Sequence, residues 1–172
     1  QAEVVPLVVS FAPEFYLVGG TALALQYGHR RSIDFDLFSA APFDVQKIRN
    51  RIRSNFRIEQ TLIASGEELT VSVNSVKCTF YCYPYAVPPP VEFTGGLNMP
   101  DPVSIGAMKA FALGHRAKWK DYVDLYFIFE HHSLGEVVTR AKELFAAEFE
   151  EKLFREQLAF HQDINYSDAV IY

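Results

Sequence analysis

No stretch of this 172-residue chain reaches about eighteen consecutive apolar residues, so no transmembrane helix is expected. Cysteine is scarce: Cys78 and Cys82 stand four apart in a strand-like run, with no Cys-x-x-Cys spacing. Such near neighbours rarely suit a disulfide and read as free thiols in a reducing, cytoplasmic setting. No Cys, His or Asp grouping has zinc spacing. Ser32, Ser39 and Ser104 lack the context of a nucleophile elbow. His131, His132 and His161 read as surface or helix-end residues, and the single tryptophan, Trp119, as a packing anchor. Gln1 to Ser10 has no basic segment and reads as a mature or truncated start rather than a signal peptide. With no Met there, the numbering reads as beginning inside a longer product or after processing. A net charge of −5 excludes nucleic-acid binding by bulk charge. Three local basic patches remain: His29-Arg30-Arg31, Lys118 to Lys120, and Lys47 to Arg57 with Arg49, Arg51 and Arg53.

What is present suits one domain with a sizeable core. Apolar residues make up 49% and charged residues 22%, and fifteen Phe with nine Tyr make the interior aromatic. The pattern predicts a short helix over residues 2–11, a strand over 15–18, a helix over 21–27 and a strand over 34–38. A helix opens at Ala41-Pro42 and runs to about Ser54. Strands follow over 57–65, 69–75 and 76–83, with turns at Gly66 to Glu68 and Asn74-Ser75. Pro84 to Pro90 is a loop or seam, after which the chain reads as helical. Asp101-Pro102 opens a helix ending near Gly114, and others cover 121–131, 134–147 and 148–161. The expectation is an α/β (α+β) fold with a small mixed β-sheet core, residues 1–90, and a C-terminal helical lobe, residues 91–172, joined as one compact unit.

Residues 17–38 concentrate the chemistry. Gly19, Gly20 and Thr21 follow an apolar strand and precede a helix. Glycines let backbone approach a ligand, and a helix start offers unpaired N–H groups to an anion. Asp34-Phe35-Asp36 then reads as a strand whose carboxylates share a face while Phe35 and Leu37 point inward. Gly-Gly alone is more often a turn, and Asp-x-Asp alone a solvated strand edge. Together they form a possible phosphate cradle beside a possible Mg²⁺ or Mn²⁺ site.

A second constellation runs from Lys109 to Asp124, with Arg116, Lys118, Lys120 and Asp121 between them. By spacing alone Lys120 and Asp124 are a solvated helical ion pair, and Asp121 caps a helix start.

Gly20-Thr21, twelve intervening residues and Asp34-Phe35-Asp36 resemble the signature of the nucleotidyltransferase superfamily that includes DNA polymerase beta. Gly28 to Asp36, read as Gly-His-Arg-x-Ser-x-Asp-h-Asp (h apolar), and Lys109, Arg116, Lys120-Asp121, Asp124-Leu125 resemble one branch, the AbiEii/AbiGii toxin family. The resemblance covers about residues 15–130. It implies a nucleotidyltransferase with Asp34 and Asp36 holding the metal and Asp121 as a third catalytic residue. It also implies Gly19, Gly20, Thr21, Arg30, Ser32 and Lys109 around the nucleotide. An NTP substrate, an RNA acceptor such as a tRNA 3′ end, and an antitoxin partner follow from the same resemblance. Many members of the superfamily carry a third carboxylate on a later core strand, and Val76 to Cys82 has no acid. The alternative is therefore a non-catalytic nucleotide-binding or partner-binding module on the same fold.

Overall fold

Period-two alternation builds the sheet. A computed structural model describes residues 1–160, 162, 164–167 and 169–171. Strands β1 (Tyr16–Val18), β2 (Phe35–Ser39), β3 (Gln60–Ala64), β4 (Glu68–Val73) and β5 (Val76–Cys82) form one sheet in the order β1-β2-β5-β4-β3. β2 and β5 run parallel and the other neighbours antiparallel, so the sheet is mixed, as expected. Phe35 and Leu37 of β2, Cys78 and Phe80 of β5, and Leu69 and Val71 of β4 are buried on one side. Phe11 and Phe15 close edge-on over Phe80 at 4.7 and 5.4 Å. Arg51 of α3 (Val45–Arg53) lies over the Phe11 ring, with Ile48 and Ile52 of the same helix buried beneath. The other face carries Asp36, Phe38, Thr79, Tyr81 and Thr70, and it is the face that lines a cleft.

The helical part turns around α4 (Pro102–Leu113), which packs against α2 (Gly19–Tyr27), α5 (Trp119–Phe129), α6 (Leu134–Phe145) and α7 (Glu151–Ala159). α4 is mostly apolar and largely buried, with Ser104 and Lys109 as its buried polar side chains. The Asp101 carboxylate accepts from the Ser104 N–H at 2.9 Å, with Pro102 in the first turn. Phe111 and Phe145 stack at 4.2 Å between α4 and α6. Residues near 165 run beside residues 117–119, where Trp119 N–H bonds the Asn165 carbonyl and the indole packs on Tyr166.

Three readings need correction. The helix expected from Ala41-Pro42 starts at Val45, because the Asp44 carboxylate caps the Gln46 and Lys47 N–H groups. β3 starts at Gln60 rather than Arg57. After Pro90 the chain is not helical at once: β6 (Val91–Thr94) and β7 (Leu97–Met99) form a hairpin, and β7 packs on β1. Gly95 and Gly96, at φ 58° and 79°, make its two-residue turn. The helix predicted over 148–161 is α7, and its last predicted residue, His161, lies outside the described residues. The short helix near the start is α1 (Val5–Val9), preceded by a 3-10 turn.

Candidate active site

The acid pair lies where β2 begins. Phe35 and Leu37 point into the core, leaving Asp36 on the cleft face of the sheet. Asp34, just before the strand, holds the Lys77 ammonium of β5 at 3.3 Å through Oδ2. Burial pushes the Asp36 carboxyl above its ordinary value, and neighbouring Asp34 pushes the same way. Lys77, a hydrogen bond from Thr79 and Lys109 oppose them. Two carboxylate oxygen donors on a strand suit a hard divalent cation that keeps waters and takes phosphate oxygens. Among the described residues no group of three or more His, Cys, Asp and Glu could hold a metal. Further ligands to an ion here would be water or phosphate.

The glycine turn answers to its own side chains. Gly19 has φ +71°, and a Cβ on it would come 2.6 Å from Asp36 Oδ2. A Cβ on Gly20 would come 2.1 Å from Arg30 Nη2. One glycine thus makes room for the acid and the other for a guanidinium. The Thr21 hydroxyl is braced between Ser32 Oγ, at 2.9 Å, and the Asp34 carbonyl. This ties the start of α2 to the residue just before β2.

Behind the turn lies a buried charge cluster. Asp124, with a side chain 0% exposed, accepts from Arg30 Nε at 2.6 Å and Nη2 at 2.9 Å. His29 Nε2 lies 2.7 Å from its Oδ1, and Lys109 Nζ lies 2.7 Å from its Oδ2. Lys109 also donates to Asp121 Oδ1 at 2.8 Å. Burial favours a neutral Asp124, but Lys109, His29 and Arg30 outweigh it and hold the carboxyl well below the usual range. Burial likewise works against the Lys109 ammonium, yet Asp121 and Asp124 hold its pKa above the ordinary lysine value. Asp121 Oδ2 is buried without a hydrogen-bond partner, with Arg116 Nη2 3.6 Å away.

In front of this cluster lies one cleft of about 680 Å³. Gly19, Asp36, Lys77, Thr79, Lys109 and Asp121 supply its polar lining, and Phe38, Tyr81, Tyr83 and Met108 line it as well. His115, Arg116 and Lys118 form a basic lip, and Leu62 and Ile63 of the exposed strand β3 stand at the mouth. Asp34 joins through Lys77. Gly20, Thr21, Arg30 and Ser32 are not lining residues and brace the wall from behind. Asp36 and the Lys109 to Asp121 segment, far apart in sequence, thus meet at one cavity.

Two sequence-based expectations fail. Asp124 is not part of a solvated ion pair but a buried hub that meets Arg30, Lys109 and the His29 ring. His29 and Arg30 are not an RNA patch, because their side chains are 2% and 4% exposed and bonded to Asp124. The signal for Asp124 was the three-residue step from Asp121, which puts both carboxylates on one helical face beside Lys109. Lys77 and Thr79 carried no signal, because only the parallel register of β5 sets them beside the acids.

A family model for the nucleotidyl transferase AbiEii toxin of a type IV toxin–antitoxin system matches residues 7–168. The chain belongs to this family. An Aquifex aeolicus protein, aq_aa25, is 36% identical over 138 residues, covering 77% of this chain and 66% of its own length. The chain therefore spans just under two thirds of that relative's length. JHP933 from Helicobacter pylori superposes with a TM-score of 0.57 at 19% identity over 83% of this chain and 71% of its own. The Megavirus polyadenylate synthase gives 0.55 at 15% over 75% and 31%. MenT4, a nucleotidyltransferase toxin of Mycobacterium tuberculosis, gives 0.52 at 19% over 74% and 54%. At such identities the likeness speaks for a shared nucleotidyltransferase fold.

Proposed function

We propose that this AbiEii family member moves a nucleoside monophosphate from an NTP to an acceptor hydroxyl on RNA, as the toxin of a toxin–antitoxin pair. The observation that carries the reading is the meeting in one cleft of Asp36, Lys109 and Asp121, whose Oδ2 accepts no hydrogen bond among the described residues and has the Arg116 ion pair at 3.6 Å. Asp34 and Asp36 would hold Mg²⁺ or Mn²⁺, which supplies charge neutralisation on the phosphate oxygens. Gly19, which lines the cleft at the start of α2, would meet the triphosphate at the positive end of the helix dipole, with Gly20 and Thr21 in the turn behind it. Lys109, already shared by two carboxylates, adds a further N–H there and sets the position of Asp121. Ser32 and Arg30 act at one remove, bracing Thr21 and Asp124.

In the reaction the acceptor oxygen bonds to the α-phosphorus, the bond to the β-phosphate oxygen breaks, and pyrophosphate leaves with the electron pair. Asp121 Oδ2 takes the hydroxyl proton. RNA is favoured as acceptor by the exposed basic lip of His115, Arg116 and Lys118, since contacts to phosphate must be local in a chain of charge −5. Incubation with each α-phosphate-labelled NTP, Mg²⁺ and total RNA or lysate tests the reading. Nuclease-sensitive label with one NTP preferred is expected. Protease-sensitive label would move the acceptor to protein, and no label with any NTP would leave a binding module.

A further inference from the structure

Lys77 sits on the face of β5 that meets the acid pair. In the parallel register Thr79 stands opposite Asp36 and Tyr81 opposite Phe38. Lys77, two residues before Thr79, comes up on the same face beside Asp34. Its Nζ lies 3.3 Å from Asp34 Oδ2, and the two side chains are 44% and 36% exposed. The contrast with Lys109 is direct, since that ammonium is buried between two carboxylates. A single open ion pair of the Lys77 kind contributes only ~0–1 kcal/mol to a fold. The fold has little use for it, and its partner is one of the two acids best placed to bind a divalent ion.

The geometry points to Lys77 as a place-holder cation, a role that rests on the nucleotidyl-transfer reading. In the nucleotide-free protein the ammonium occupies Asp34 and competes there with a divalent ion. A triphosphate entering over Gly19 brings oxygens that accept from Lys77 within the same cleft. The ammonium then passes to the polyphosphate and releases Asp34 to the ion. Metal and nucleotide thereby help each other bind, and thermodynamic linkage makes that help equal in both directions. Lys77 is a positioning residue in this account, because it governs which cation Asp34 holds.

The test is calorimetric titration of the full chain with Mn²⁺ alone, with a non-hydrolysable NTP alone, and with both, for the wild type, Lys77→Met and Lys77→Arg. Lys77→Met should bind Mn²⁺ alone on the order of tenfold more tightly than the wild type, within the usual range of site-to-site coupling. It should bind the nucleotide more weakly, and the mutual enhancement should shrink. Lys77→Arg should keep the wild-type pattern. A structural role would not raise metal affinity on loss of the ammonium. Equal or weaker Mn²⁺ binding by Lys77→Met, with nucleotide binding intact, overturns the place-holder and leaves nucleotidyl transfer standing. A wild type that binds neither Mn²⁺ nor nucleotide in any combination overturns both.

Discussion

Two charge clusters meet at one cleft and follow opposite rules. Around Asp124 every partner is buried: Arg30 and His29 side chains are 4% and 2% exposed, Lys109 8%, Asp124 itself 0%. Around the Asp34 carboxylate, its ion-pair partner Lys77 stands partly in solvent. A charge without water must be matched by fixed opposite charges and hydrogen bonds, and once matched it is costly to disturb. A charge at a cleft wall can change partners at little expense. The buried cluster therefore holds the segment after α2 against α4 and α5, and the open one is left for a ligand. The glycines mark the boundary, Gly20 serving the buried side and Gly19 the open one.

The sharpest way to break this contrast is to remove the hub. Asp124→Ala leaves Arg30, His29 and Lys109 buried without their acid and should cost ~3–5 kcal/mol of stability, read by urea or thermal unfolding. The same contact sets an acid limit. The folded Asp124 carboxyl lies below the ordinary aspartate value, which is the unfolded reference. Its stabilisation is complete above about pH 5 and is lost as the pH falls through the unfolded value near 4 towards the folded one. Unfolding titrations at falling pH should show this slope in the wild type and a flatter one in Asp124→Asn.

Asp36→Ala tests the open side. Transfer should fall by roughly 10²–10³-fold, the usual cost of losing a preorganised group at a developing charge. Stability should move by less than ~1 kcal/mol, since an acid destabilised by burial is being removed. A loss of fold comparable to that of Asp124→Ala would erase the distinction between the two clusters.

Gly20→Ala probes the boundary. The added Cβ meets the Arg30 guanidinium, which Asp124 holds in place, so the methyl should cost ~1–3 kcal/mol by overpacking. Pairing it with Arg30→Lys in a double-mutant cycle should recover part of the Cβ cost while losing the fork to Asp124. The smallest effect is expected far from the cleft. Arg51 pairs with Glu14 at 3.0 Å on the outer face, and Glu14→Gln should change stability by at most ~1 kcal/mol and leave transfer unchanged.

The two Gly-Gly pairs show how far sequence reading reaches. Gly19-Gly20 was legible because a strand precedes it, a helix follows and Asp34-Phe35-Asp36 comes soon after. Gly95-Gly96 had an equally local hairpin signal, flanked by Phe93 and Leu97, but lay between a proline-rich stretch and a strong helix start. The mixed sheet, the helical order and the family were likewise readable from alternation, caps and motif spacing, because those depend on neighbours along the chain. Thr21 shows the limit of motif reading, since its hydroxyl proves to be tied to Ser32 and the Asp34 carbonyl.

Local patterning by itself determined that Phe35 and Leu37 face inward and Asp34 and Asp36 outward, that Asp101-Pro102 starts a helix, and that the chain carries the AbiEii motifs. Tertiary structure alone decided what each charge meets. The same Asp124 that spacing reads as half of a surface pair becomes a hub when α5 is packed on α2 and α4, bringing Arg30, His29 and Lys109 to it across ninety-odd, ninety-five and fifteen residues. The same Lys77 becomes a partner of Asp34 only through the parallel pairing of β5 with β2. The physical reason is common to both. Side-chain direction follows from local backbone, whereas the energy of a charge depends on burial and on partners that only the folded chain assembles.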